Sequence, residues 1–292
     1  MNRIGLGAMM FGWKTPPKDA GRIIDQCLTL GINVIDTSPS YSKGESEKII
    51  GTTLGQTNRD RMKLATKFSL LDVEQKYLDL VVRSSLEESL CRLKTDSVDY
   101  YTLHNDSNFP AIASLASIIC CLKNEGLVGE FHISNFSIKS VSELLSIPKL
   151  LDAVDGIHVR HNLLFCDDPL WQVAAAKNVR TIAYSPLCEG LLTGKYRSSG
   201  RTYQAGGRLL EATKYRDHYD DLLSSKMAVK VESIATEAKV LGVDLTHYAY
   251  KCVLKCSDID TMLLGVSSLA QFESATQLLS EFGTSRRCPA SL

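Results

Sequence analysis

Residues 33–37 read NVIDT, residues 62–68 read MKLATKF and residues 98–104 read VDYYTLH. Each is a short, mostly apolar run, as a strand buried on both faces should be. Working outward, similar runs stand at 3–8, 129–135, 156–160, 180–185 and 260–265. Between them lie amphipathic stretches at 18–30, 73–93, 112–123, 138–145, 169–177, 222–241 and 271–279, with an extra one at 245–255. In the 73–93 stretch Leu78, Val81, Val82, Leu86, Leu90 and Leu93 recur three or four apart, and the 18–30 stretch stops at Gly31. Strands alternating with helices across 292 residues predict an α/β fold, a parallel (β/α)8 TIM barrel, as one domain over 1–292. The alternative is an open doubly wound sheet, weakened because no Gly-x-Gly-x-x-Gly turn follows the first strand. One long irregular stretch, 196–219, is rich in Gly, Arg and Tyr. It exceeds a routine connection and reads as a functional or disordered loop.

Composition narrows the function classes. Lys plus Arg is 33 and Asp plus Glu is 33, so there is no net charge to draw the chain to nucleic acid or an anionic membrane. No apolar run reaches the roughly 18 residues of a membrane-spanning helix, and the first residues lack the layout of a secretory signal. Nine cysteines, an odd number without regular spacing, argue against a secreted disulfide scaffold. Free thiols in a reducing cytoplasm fit better. No Cys-x-x-Cys or Cys/His zinc spacing occurs, so no metal is expected.

In such a barrel, chemistry sits at the C-terminal ends of the strands. Strand two ends in Asp36 with Tyr41 five residues on, strand three ends near Lys67, and strand four ends at His104. Singly, each has an ordinary structural explanation: a turn cap, a loop aromatic, an ion-pair partner, a satisfied histidine. All four at the ends of consecutive strands point to one shared mouth.

The motifs around these residues carry a resemblance. NVIDTSPSY at 33–41 is followed by KGESEKIIG at 43–51, ATKF at 65–68, LH at 103–104, ISNFS at 133–137 and AYSPLCEGLLTGKY at 183–196. Their order and distances resemble the aldo-keto reductase superfamily from the first strand to the last helix. That resemblance implies a barrel that reduces carbonyls with a nicotinamide cofactor, and it carries the catalytic tetrad onto Asp36, Tyr41, Lys67 and His104. A free phenol titrates near 10, so Lys67 is expected to stabilise the phenolate and Asp36 to hold Lys67 charged. His104 would orient the carbonyl, and Tyr41 would act as general acid in reduction and general base in oxidation.

On the cofactor side, the resemblance puts Ser134, Asn135 and His158 at the nicotinamide carboxamide and Tyr184 against the ring. Ser185, Leu187, Gly190, Leu192 and Lys195 would lie along the pyrophosphate, and Gly265, Ser267, Ser268 and Gln271 around the adenosine phosphate. There are departures. His158 stands where relatives usually have Gln, His132 where Gly is common, His161 where Tyr or Cys is frequent, and Ser274 and Ala275 where Glu-Asn is usual. Three extra histidines read as partly buried imidazoles with ordinary partners rather than a metal site. The segment GVSSLAQFESA at 265–275 has no Lys or Arg, so NADP(H) is expected with only modest preference over NAD(H). The sequence predicts an NAD(P)H-dependent oxidoreductase acting on an aldehyde, ketone or sugar carbonyl. A cofactor-binding regulatory subunit with little turnover is the alternative.

Overall fold

The computed structural model describes residues 3–55, 57–71, 73–106, 109–196 and 221–280, the side chains of 109–113 excepted. Eight parallel strands close into a barrel in chain order: β1 Ile4–Gly7, β2 Val34–Asp36, β3 Lys63–Phe68, β4 Val98–Leu103, β5 Val128–Ser134, β6 Gly156–Arg160, β7 Arg180–Tyr184 and β8 Thr261–Gly265. The alternative open sheet is thereby set aside: β1 pairs with β8 through Ile4↔Met262 to Gly7↔Gly265 and leaves no edge among these strands.

The strands alternate between two cores. Along β3, Leu64 and Phe68 pack outward with the main core, and Thr66 donates to Glu47 outside the barrel. Ala65 turns inward to a small lumen cluster with Val34, Tyr100, Ile182 and Leu263. The outer core joins strand residues such as Leu6, Ile35, Tyr101 and Phe131 to helix residues such as Ile23, Ile24, Leu86 and Leu115. Each fully buried aliphatic side chain there contributes about 1.5–3 kcal/mol against exposure. Sequence alone explains why these runs are continuous rather than alternating: both faces are covered.

The helices are α1 Pro17–Leu30, α2 Glu45–Leu54, α3 Leu78–Leu93, α4 Phe109–Asn124, α5 Ile138–Leu145, α6 Pro148–Ala153, α7 Trp171–Ala176, α8 Ser225–Val240, α9 Leu245–Lys255 and α10 Leu269–Ser280. α1 begins with Pro in its first turn and ends on Gly31 at φ 72°. Ser137, Ser224 and Asp244 cap α5, α8 and α9 with their side chains. The 73–93 stretch is helical only from Leu78, after a short 3₁₀ turn at Gln75–Tyr77. Two helices escaped the periodicity. α6 is a single short turn-and-a-half after Ile147. α2 hides its pattern because polar Ser46 and Glu47 are buried beside Ile49 and Ile50. Glu47 is satisfied by Thr66 (2.6 Å) and by Arg92 of α3 (2.6 Å). Gly51 lets α2 approach α3 so closely that a Cβ would lie 2.5 Å from the Leu93 carbonyl. Of the irregular stretch 196–219, all but Tyr196 lies outside the described residues. No helix among the described residues is long and apolar enough to cross a membrane.

Candidate active site

The parallel register brings the ends of β2, β3 and β4 side by side: Asp36 pairs with Ala65 and Lys67 with Thr102. From there Lys67 Nζ reaches Asp36 Oδ1 at 2.5 Å, the Thr37 carbonyl at 2.7 Å and Tyr41 Oη at 3.2 Å. Tyr41 opens a tight 3₁₀ turn, Tyr41–Gly44, in which Ser42 and Lys43 take φ 50° and 56°. Ser42 Oγ ties that turn to the Phe11 carbonyl (2.9 Å) and Ser46 Oγ ties α2 to the Ala8 carbonyl (2.9 Å). The Tyr41 ring lies 4.7 Å from the Lys67 ammonium and meets His104 edge-on at 5.9 Å. The four side chains, read from three separate motifs, thus share one mouth.

Burial sets the electrostatics. It pulls the Lys67 ammonium down, but the Asp36 carboxylate and Tyr41 outweigh it and hold Lys67 above the ordinary lysine value. Burial raises the Asp36 carboxyl despite Lys67. Burial, with Lys67 nearby, pushes the His104 imidazole down to about 3. A neutral imidazole carries one N–H. Ser38 Oγ sits 3.3 Å from His104 Nδ1. When Ser38 donates there, the N–H is left on Nε2. Ser38 and the Thr37 carbonyl were inside the NVIDTSPSY motif but were not singled out, because their role depends on where His104 and Lys67 come to rest.

The remaining site residues occupy the other strand ends. Ser134 closes β5. Asn135, at φ 57°, donates to the His104 carbonyl (2.8 Å) and accepts from the Tyr184 hydroxyl (2.7 Å). His158 is opposite Ser134 in register and 1% exposed, its ring nitrogens turned to His132 (3.1 Å) and toward Asp36 (3.8 Å). After β7 the chain turns through left-handed Ser185, Cys188, Glu189 and Gly190. Leu187 is half-buried and Leu192 fully buried in this turn. Lys195 folds over Gly190, where any Cβ would meet its Nζ at 2.9 Å. That places a cation beside a glycine-opened loop, which suits an anionic pyrophosphate. At the end of β8, Gly265 faces open space. Ser267 donates twice to Gln271 Oε1 (2.9 Å each), and Ser268 Oγ accepts from the Gln271 N–H (3.3 Å). The residues present, hydroxyl and amide groups after β5 and β8 and a cation in the turn after β7, therefore fit the chemistry of a nicotinamide dinucleotide. No group of three or more His, Cys, Asp or Glu able to hold a metal occurs among the described residues.

The buried imidazoles have a consequence for stability. His104, His132 and His158 all have folded-state pKa values below the ordinary histidine value, each chiefly through burial. Unfolded imidazoles titrate near 6.5. Below that pH the unfolded chain binds protons that the folded chain refuses, so stability is full above it and is lost as pH falls, down to about 3 for His104. Each ring contributes up to about 1.4 kcal/mol per pH unit. Thermal unfolding from pH 7 to pH 5 should therefore show a steep fall in Tm, and a flat Tm over that range would contradict this ionisation pattern.

The aldo/keto reductase family profile matches residues 3–285. Aldo-keto reductase YhdN of Bacillus subtilis (strain 168) is 28% identical over 291 residues, covering 95% of this chain and 85% of that protein. Aflatoxin B1 aldehyde reductase member 2 of Rattus norvegicus is 28% identical over 92% of this chain and 77% of its own length. The NADH-specific methylglyoxal reductase of Escherichia coli (strain K12) is 28% identical over 93% and 87%. Among solved structures, a glycerol dehydrogenase from Gluconobacter oxydans shares the fold, with a TM-score of 0.69 at 22% identity over 99% of this chain and 95% of that one. With the closed eight-strand barrel and the profile match spanning nearly its whole length, the chain belongs to the aldo/keto reductase family.

Proposed function

We propose that this protein is an NAD(P)H-dependent oxidoreductase that reduces an aldehyde, ketone or sugar carbonyl, or oxidises the corresponding alcohol, with Tyr41 as general acid/base. The observation that carries the reading is the unbroken contact chain Asp36–Lys67–Tyr41, with Lys67 within 3.2 Å of the phenol oxygen and neutral His104 beside it. A nicotinamide cofactor supplies or takes the hydride when bound. The protein's part is the proton and its placement. His104 Nε2–H donates to the carbonyl oxygen and aligns it. Tyr41 gives its phenol proton to that oxygen, and the Lys67 ammonium stabilises the phenolate left behind. Asp36 keeps Lys67 charged and fixed. Ser134, Asn135 and Tyr184 form the platform for the nicotinamide, Lys195 pairs with the pyrophosphate, and Ser267, Ser268 and Gln271 face the adenosine phosphate.

The names of the relatives, an aflatoxin B1 aldehyde reductase and a methylglyoxal reductase, favour an aldehyde among these carbonyls and set no size limit. The test is a panel of aldehydes, ketones and aldoses with each reduced cofactor, followed by loss of nicotinamide absorbance. No turnover with any of them would overturn the reading. Titration by fluorescence quenching reads the cofactor. With only hydroxyl and amide donors at 267–271, NADPH should bind no more than roughly tenfold tighter than NADH, since charge-assisted hydrogen bonds are about twice as strong as neutral ones. A thousandfold preference, about 4 kcal/mol, would require a basic side chain at the 2′-phosphate.

A further inference from the structure

Two cysteines that the proposed mechanism leaves unused, Cys166 and Cys252, are far apart in the chain yet line one cavity. It measures about 170 Å³ and is bounded by His161, Asn162, Leu163, Cys166, Cys252 and Val253. No other described cysteine lines it. Cys166 is exposed on the loop between β6 and α7, and Cys252 is half-buried on α9. That loop is slung between two anchors. Asn162 Oδ1 accepts from the Leu164 and Phe165 N–H groups (2.9 and 3.0 Å), and the Asp168 carboxylate accepts from the Arg160 and Leu170 N–H groups (2.9 and 3.0 Å). Between the anchors no hydrogen bond among the described residues holds Cys166 or Asp167. A loop tip without hydrogen bonds moves at little cost, and the cavity gives this one room to close inward. His161 brings an imidazole to the same cavity. Its Nδ1 is buried without a hydrogen-bond partner, and burial holds it below the ordinary histidine value, so it is a neutral base at pH 7.

The walls of this cavity also hold the turn after β7. Asn162 Nδ2 donates to the Ser185 carbonyl (2.9 Å). A second apolar cluster, separate from the main core, packs Leu163 and Phe165 of the loop and Leu245 and Ala249 of α9 around Leu191 and Leu192 of the turn. Loop and α9 therefore grip the turn together, and a covalent link between them limits how far it can open.

We propose that Cys166 and Cys252 form a dithiol site, oxidised by peroxide to a disulfide that locks the turn after β7. The lock, though not the disulfide, rests on that turn holding the cofactor. Cys166 is the exposed thiol and reacts first. Its sulfur attacks one peroxide oxygen, the O–O bond breaks, and a sulfenic acid and one water form. Burial raises the Cys252 thiol above its ordinary value, although Tyr248 and Lys255 pull the other way, so it stays a thiol until the sulfenic acid is there to meet it. A disulfide brings its two Cα atoms to about 5.5–6 Å, so the unheld tip closes on the cavity. The Cys252 sulfur then attacks the Cys166 sulfur, the S–O bond breaks and a second water leaves, with His161 the base at hand. Two thiols give up two electrons and two protons, one peroxide is reduced, and both protons end in the two waters. A thiol reductant reverses the bridge.

The test treats the reduced full-length protein with stoichiometric hydrogen peroxide, alkylates the remaining thiols and digests with trypsin. The peptides 161–177 and 252–255 should be found joined; cleavage after Lys255 puts Cys256 in the next peptide and tells it apart. The joined pair should vanish with dithiothreitol and be absent from Cys166→Ser and Cys252→Ser. Peptides that stay unjoined, or Cys166 joined to a different cysteine, would overturn the proposal. Stopped-flow release of NADPH, followed by its fluorescence, reads the lock. The release rate should fall on the order of tenfold in oxidised wild type and stay unchanged in both serine variants, whose carbonyl turnover matches wild type. An unchanged release rate in bridged wild type would overturn the lock. Failure of the cofactor reading is seen separately, as no NADPH binding by the reduced protein.

Discussion

Tyr41→Phe should abolish carbonyl turnover and leave cofactor affinity almost unchanged. The substitution removes one oxygen and keeps the ring. The phenyl group still lies over the Lys67 ammonium, 4.7 Å from its centroid, and still meets His104 edge-on. The Asp36–Lys67 contact does not involve the phenol and persists. What disappears is, among the described residues, the one hydroxyl within 3.2 Å of Lys67 Nζ. Loss of a positioned acid removes on the order of 10² to 10⁴ in rate. The measurement is kcat beside the Kd of reduced cofactor by fluorescence quenching. Activity within threefold of wild type would remove Tyr41 from the mechanism.

Lys67→Met should lose both activity and stability. Met matches the length of the stem and removes the charge. Tyr41 loses the cation that stabilises its phenolate, so the rate should fall by at least 10². Asp36 keeps its burial but loses its one short partner, and its second oxygen already has none. Breaking a buried pair by removing one member typically costs about 3–5 kcal/mol. For 292 residues, at roughly 2.1 cal/mol/K of unfolding entropy per residue, that is about 5–8 °C in Tm. Protonation relieves the stranded carboxyl, so the deficit relative to wild type should shrink as pH falls from 8 to 6. A Tm equal to wild type at pH 8 would show that Lys67 and Asp36 do not form this pair.

These two experiments separate what the linear chain announces from what it conceals. Each barrel strand is visible as a mostly apolar run because both of its faces are covered, and polar positions such as Thr66, Lys67 and His132 are kept where a partner meets them. α2 is concealed by the opposite circumstance. Its buried face includes Glu47, whose carboxylate is satisfied by residues 19 and 45 positions away, and Gly51, whose value lies in contact with α3. Neither reads as helix core until those partners are in place. The turn that presents Tyr41 is concealed as well, since left-handed Ser42 and Lys43 carry no glycine or asparagine signal.

At the candidate site, Asp36, Tyr41, Lys67 and His104 were legible because strand ends in a parallel barrel all open on one mouth. Their spacing along the chain carries that information. Ser38 and the Thr37 carbonyl were not, although Ser38 stands within a quoted motif. His132 and His158 drew notice as departures, but as separate rings. They are 26 residues apart and meet at 3.1 Å only because β5 and β6 are neighbours in a fixed register.

By itself, then, the sequence determined the class of fold, through the period and length of its apolar runs, and the residue types available at the mouth. The tertiary structure alone decided which polar atoms meet and which of them lose water. The reason is range. Apolar patterning is a property of a segment and survives in one dimension. Hydrogen bonds are made or lost within an ångström, and in this barrel they are set by register across strands.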